Sequence, residues 1–166
     1  NEVDKNNNAV IFGYHVEDPQ RFGVVDFDKQ FNVLGIEEKP KEPKTNYAVV
    51  GLYFYPNSVL SAVKEIKPSW RNELEITSIN QYFLKRKKLK LDLLGRGFAW
   101  IDTGTHDALY EATEFVKSIE KLTSLKISCI EEIAYRMKYI DSTSLKKISD
   151  SMGDTPYSKY LKNIIN

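Results

Sequence analysis

The spacing of apolar residues changes near Tyr55, and this change limits what the chain can fold into. Before it, extended runs alternate with turn residues: Ala9 to Val16, Gly23 to Asp28, Val33 to Glu38 and the long apolar Tyr47 to Tyr55. Glu17-Asp18-Pro19, the polar link from Asp28 to Asn32, and Pro40 to Pro43 separate them. After it the spacing is helical. One helix opens at Pro56-Asn57-Ser58 and stops at Lys67-Pro68. A second is predicted from Glu73 to Lys88, with Lys85-Arg86-Lys87-Lys88 at its electronegative end. Leu89 to Leu94 and Phe98 to Asp102 read as two further strands around Gly95-Arg96-Gly97. From Thr105 onward helices are expected over Asp107 to Leu122, Ile130 to Ile140, Ser144 to Ser151 and Tyr157 to Ile165. The pattern predicts an α/β part over 1–104, a sheet layered with helices that takes its ligand at the carboxyl ends of strands, then a helical region over 105–166.

Composition narrows the partners. A chain of 166 residues with 42% apolar content can bury a real core. Lys and Arg number 24 against 23 Asp and Glu, leaving +1, so no overall field recruits nucleic acid or an anionic membrane. Any phosphate must therefore be held by a few placed side chains. The single cysteine, Cys129, excludes an internal disulfide and a multi-thiolate metal site; it reads as a small core residue in a reducing, cytoplasmic setting. No apolar run approaches the roughly 20 residues that span a bilayer. The polar opening from Asn1 to Asn8 lacks an initiator Met and leads straight into a strand, as expected of a fragment.

Several residues have the chemistry of a sugar-phosphate site. On an extended segment Trp100 and Asp102 would point the same way, an apolar ring for a sugar face beside a carboxylate for a hydroxyl or a metal ion. Thr103-Gly104-Thr105 then supplies the exit and a capping hydroxyl for the next helix. Glu38 and Lys39 pair an acceptor for sugar hydroxyls with an ammonium for phosphate; Pro40 is expected to hold Lys39 extended, and the alternative is a solvated strand end. Gly23, after Phe22, serves either close approach of the backbone to a ligand or a turn with positive φ. Val49 and Tyr53 share a strand face with Gly51 between them, as a shallow pocket or as plain packing. Arg71 stands ahead of an acidic first helical turn, a place for a guanidinium if an anion lies between, or for pairing with Glu73 or Glu75. His15 and His106 are each isolated and read as structural or capping residues.

Six blocks taken in order resemble the glucose-1-phosphate thymidylyltransferases. They are Arg21-Phe22-Gly23-Val24-Val25, Glu37-Glu38-Lys39-Pro40, the run from Asn46 to Tyr55, Glu73-Leu74-Glu75-Ile76-Thr77, the run from Gly95 to Thr105, and the run from Ser128 to Ala134. The resemblance covers only that family's C-terminal part. It implies the nucleotide-diphospho-sugar transferase fold, a Rossmann-like α/β/α arrangement around a mixed sheet, and a reaction joining dTTP to glucose 1-phosphate with Mg²⁺ to give dTDP-glucose and pyrophosphate, the entry to dTDP-rhamnose. By the same resemblance Phe22, Gly23, Glu38, Val49, Tyr53 and Trp100 line the glucosyl pocket, and Lys39 and Arg71 grip the sugar's phosphate. Asp102 matches the metal-binding acid, and Glu132, Ile133 and Arg136 match part of a secondary, regulatory nucleotide site.

The family's opening G-G-x-G-T-R-L loop and its catalytic Arg and Lys have no counterpart in this chain, which is therefore expected to be inactive alone. Family members are tetramers joined through the helical end, so apolar surface at Phe115, Ile119 or Ile133 is expected. Phe22 stands where Tyr is usual, Trp70 and Asn72 flank Arg71 where Ala and Gly are usual, and Ile130 replaces Pro after Cys129. The alternatives are a non-catalytic binding or assembly module and part of a uridylyl- or cytidylyltransferase.

Overall fold

A computed structural model describes residues 6–69 and 72–165. The chain divides into two compact units, Asn1–Trp100 and Ile101–Asn166. In the first, strands β1 (Ala9–His15), β2 (Gly23–Phe27), β3 (Val33–Glu38), β4 (Tyr47–Phe54) and β5 (Leu89–Leu93) form one sheet in the order β3-β2-β4-β1-β5. β1 runs parallel to β5 and antiparallel to β4, and β2 is antiparallel to both β3 and β4, so the sheet is mixed.

The alternation that predicted the strands also sets their faces. Ala9, Ile11, Val25, Ile36, Leu89 and Leu91 point to one side, where they meet Ala62 of α1 (Val59–Glu65) and Ile79 and Phe83 of α2 (Ile76–Lys85). The Gln81 amide of α2 donates to the Ile36 carbonyl at 3.0 Å, fastening this helix to β3. Between Ile11 and Gly13 the partners on β4 advance from Tyr53 to Val49, so β4 bulges there with Gly51 exposed at the crest. Val49 and Tyr53 nonetheless both pack on the core side.

Two sequence expectations change in this unit. The second helix is shorter than Glu73 to Lys88: its acids precede the first turn, and Glu75 stands at the N-cap with extended dihedrals. Phe98 to Asp102 is not a strand. There the Phe98 N–H turns back to the Gly95 carbonyl at 3.1 Å, and the Phe98 carbonyl accepts from the Tyr14 hydroxyl at 3.2 Å, so these main-chain groups are taken up by a turn and a side chain.

The second unit is helical: α3 (His106–Thr123), α4 (Ile130–Arg136), α5 (Ser142–Ser151) and α6 (Pro156–Ile165). Thr105 caps α3 by accepting from the Ala108 N–H at 3.2 Å, and Asp141 caps α5 through the Ser144 N–H at 2.7 Å. The helix expected to reach Ile140 ends at Arg136, and the following turn places Lys138 at φ +61. Cys129, Leu145 and Leu161 form a small core.

Glu132 is buried beside that core, its carboxylate accepting from the Tyr160 hydroxyl and from the Arg136 guanidinium at 2.7 Å. The Tyr160 bond first, and Arg136 after it, hold the Glu132 carboxyl below the usual carboxylate range. A carboxyl whose folded pKa is depressed contributes stability above its unfolded pKa and loses it as pH falls through the folded value. Tyr160→Phe is therefore expected to destabilise the helical unit by about 1–3 kcal/mol at neutral pH. Urea titrations at pH 7 and pH 3 should show that difference shrinking at the lower pH.

Candidate functional site

The register of the sheet lines up five residues across it. Gly23 faces Glu38, Val24 faces Ala48 and so brings Gly23 alongside Val49, Val49 faces Gly13, and Gly13 faces Leu93. One rung thus reads Glu38, Gly23, Val49, Gly13, Leu93, at the carboxyl ends of β1 and β5. Its two glycines leave the core face low. A Cβ on Gly13 would lie 2.8 Å from the Leu93 side chain; one on Gly23 would lie 3.2 Å from Glu38 Oε2 and 3.3 Å from Thr77 Oγ1. Gly23 is not among the positive-φ residues, so it does not serve a positive-φ turn; what comes close to its backbone is the Glu38 and Thr77 side chains.

Glu38 closes β3, half-buried, and its Oε2 accepts from the Thr77 hydroxyl at 2.6 Å. Thr77 lies in the first turn of α2, buried on the helix's core side. Tyr53 stands on the same side of the sheet, and burial first, then the Glu38 carboxylate, pushes its phenol above the usual tyrosine range. Its ring stacks on Tyr55 at 5.8 Å and 11°. The arrangement is a carboxylate of fixed direction beside an aromatic wall, able to accept hydrogen bonds from a polyhydroxylated ligand.

Lys39 departs from expectation. Its φ is +46, in the left-handed region rather than extended, although Pro40 follows. The reason is local: the Lys39 N–H donates to the Phe22 carbonyl at 3.0 Å, extending the β2–β3 pairing one residue past Glu38, and buried Pro40 then turns the chain away. Glu38 consequently faces the sheet's core side while the Lys39 side chain is exposed.

Phe22 links this end of the hairpin to Trp100. The two rings meet edge-on with centroids 5.1 Å apart, and Tyr14 approaches the same indole at 6.0 Å. Trp100 therefore joins Phe22, Gly23, Glu38, Lys39, Val49 and Tyr53 in the first unit without an extended segment to carry it. Arg71 lies outside the described residues. Asp102 belongs to the second unit, where a Cβ added to Gly104 would meet its Oδ2 at 3.3 Å. Of the helical residues, Glu132 is engaged with Tyr160 and Arg136, and Ile133 is 51% exposed. His15 packs edge-on against Tyr47 at 5.4 Å, and His106 opens α3.

The functional reading of the sequence did not single out Gly13, Tyr55, Thr77 or Asn80. Thr77 and Asn80 had a signal: polar residues three apart on the helix face that also carries Ile79 and Phe83.

Residues 1–119 match the family described as Nucleotidyl transferase. The chain belongs to this family. The nucleotidyl transferase chain is 45% identical over 161 residues to the glucose-1-phosphate thymidylyltransferase of Neisseria gonorrhoeae, covering 97% of itself and 56% of that protein. It is 43% identical over 157 residues to the enzyme of the same name in Mycobacterium tuberculosis H37Rv, covering 95% of itself and 54% of that relative. It thus spans about half the length of the curated relatives it matches. Among solved structures, a Bacillus anthracis protein assigned as a glucose-1-phosphate thymidylyltransferase, crystallised with sucrose, is 43% identical with a TM-score of 0.60, over 68% of this chain and 45% of that one. A UDP-glucose pyrophosphorylase shares the fold at 22% identity and a TM-score of 0.60, over 70% of this chain and 46% of that one.

Thr77→Val removes the donor to Glu38 and is expected to destabilise the first unit by about 1–2 kcal/mol, with Thr77→Ser restoring most of it. Chemical denaturation followed by circular dichroism measures both.

Proposed function

We propose that this chain supplies the sugar-phosphate-binding half of a glucose-1-phosphate thymidylyltransferase. The observation that carries the reading is the Glu38 carboxylate held by Thr77 across Gly23, on one rung with Val49 and beside Tyr53, in a chain 45% identical to enzymes of that name. Glu38 would accept from two glucosyl hydroxyls. Gly23 and Val49 would form the floor of the pocket, Tyr53 and the Phe22–Trp100 pair its walls. Lys39, with its side chain exposed beside Glu38, would meet the phosphate together with Arg71. By fixing the sugar phosphate in one orientation, these groups aim a phosphate oxygen at the nucleotide's α-phosphorus, which is how positioning lowers the barrier to in-line transfer.

Asp102 would be the chain's Mg²⁺ ligand. A single hard oxygen beside Gly104, which has no side chain to crowd it, suits an ion that commonly binds through one or two carboxylates, phosphate oxygens and water. When bound, Mg²⁺ would neutralise charge on the reacting phosphates. The helical unit would carry assembly into a tetramer, for which exposed Phe115 and Ile133 are available, and the regulatory nucleotide contact through Ile133, Arg136 and Glu132. The product would feed dTDP-rhamnose synthesis in the cytoplasm, a setting consistent with the lone buried thiol Cys129. No helix among the described residues is long and apolar enough to cross a membrane.

Titrating the isotope-labelled chain with glucose 1-phosphate tests the reading. Binding that perturbs Gly23, Glu38, Lys39 and Trp100 is expected, weakened roughly 10–100-fold in Glu38→Gln. With dTTP and Mg²⁺ added, no pyrophosphate should form from this chain alone; turnover would show that the half is sufficient by itself, and absence of binding would end the proposal.

A further inference from the structure

The buried face of α2 carries a second polar side chain, one turn beyond Thr77. Asn80 is fully buried; its Oδ1 accepts from the Tyr55 hydroxyl at 2.6 Å, and its Nδ2 has no hydrogen-bond partner among the described residues. An apolar side chain of similar size would occupy the same space without leaving a buried donor unmatched, so packing does not account for an amide there. The bond that it receives does.

Tyr55 follows the last residue of β4, and its ring lies between two others, stacking on Tyr53 at 5.8 Å and 11° and on Phe83 at 5.7 Å and 24°. Stacking tolerates sliding of one ring over the next, whereas a short hydrogen bond to a fixed acceptor fixes where the hydroxyl ends and hence where the ring sits. Tyr53, next in the stack, packs on the side of the sheet that Glu38 faces and is a wall of the proposed pocket. Because residues three apart lie on one face of a helix, Thr77 and Asn80 make α2 the common support of both pocket components: Thr77 sets the carboxylate and Asn80 sets the tyrosine pair.

We infer that Asn80 is a positioning residue which, through Tyr55, fixes Tyr53 against Glu38 and so sets the shape of the sugar-phosphate pocket. The inference rests on the pocket proposed above. Asn80 touches no ligand in this scheme.

Tyr55→Phe removes the donor and keeps the ring; Asn80→Ala removes the acceptor. In the full chain, both variants are expected to weaken glucose 1-phosphate binding roughly 3–10-fold, the double variant no more than either single one. Both should also move the Tyr53 titration, followed by NMR of ring-labelled tyrosine, down towards the usual tyrosine range, because a ring no longer held in place loses part of its burial first and part of the Glu38 carboxylate's influence after it. Tyr82→Phe is the control: this hydroxyl faces exposed Glu65 at 3.5 Å, and its removal should leave affinity and titration unchanged. If Tyr55→Phe keeps wild-type affinity and an unmoved Tyr53 titration, Asn80 serves packing and the inference falls, whatever either variant does to melting temperature. If the wild-type chain binds no glucose 1-phosphate, the proposed function falls, and the Tyr53 titration, which needs no ligand, decides the positioning role alone.

Discussion

A carboxylate at the edge of a core must keep its charge while losing part of its water, and the first unit is arranged around that demand at Glu38. The Thr77 hydroxyl replaces part of the lost hydration at 2.6 Å and gives the carboxylate one direction. That bond brings the start of α2 over the end of the β2–β3 hairpin, where a Cβ at position 23 would press on Glu38 Oε2 at 3.2 Å and on Thr77 Oγ1 at 3.3 Å. The short first turn of α2, the hairpin end with Lys39 at positive φ, and the closeness of Tyr53 to the acid all accompany it.

The second unit meets the same demand at Glu132 and meets it differently. There the carboxylate is buried, and each of its oxygens accepts from inside the unit, one from Arg136 and one from Tyr160. A carboxylate tied on both oxygens is a structural element first. Glu38, with one hydroxyl donor and a half-exposed position, keeps acceptor capacity for a ligand.

Much of this was legible in the chain. Strands β1 to β5 follow from alternation bounded by turn residues, because a period of two with one face buried admits little else. Phe22, Gly23, Glu38, Val49, Tyr53 and Trp100 were readable as residue types suited to a sugar, and the structure places them all in the first unit. What local spacing could not supply was tertiary. The run from Phe98 to Asp102 has the composition of a strand, yet Tyr14 and a turn take up its Phe98 groups. Lys39 obeys a tertiary hydrogen bond to Phe22 over the local preference that proline imposes. Gly13 gained meaning only when the register put it beside Val49 and Leu93. Tyr55 and Asn80, 25 positions apart, are joined by a bond that neither one's neighbours announce.

Because the floor beneath the site is a single rung contributed by five strands, its composition is a property of alignment as much as of residue choice. Inserting or deleting one residue inside a strand would turn its contribution to the opposite face, unless a bulge like the one in β4 takes up the change. The rung can therefore be altered one residue at a time by replacement, whereas a change of strand length leaves it intact only where a bulge or a connecting turn absorbs the difference.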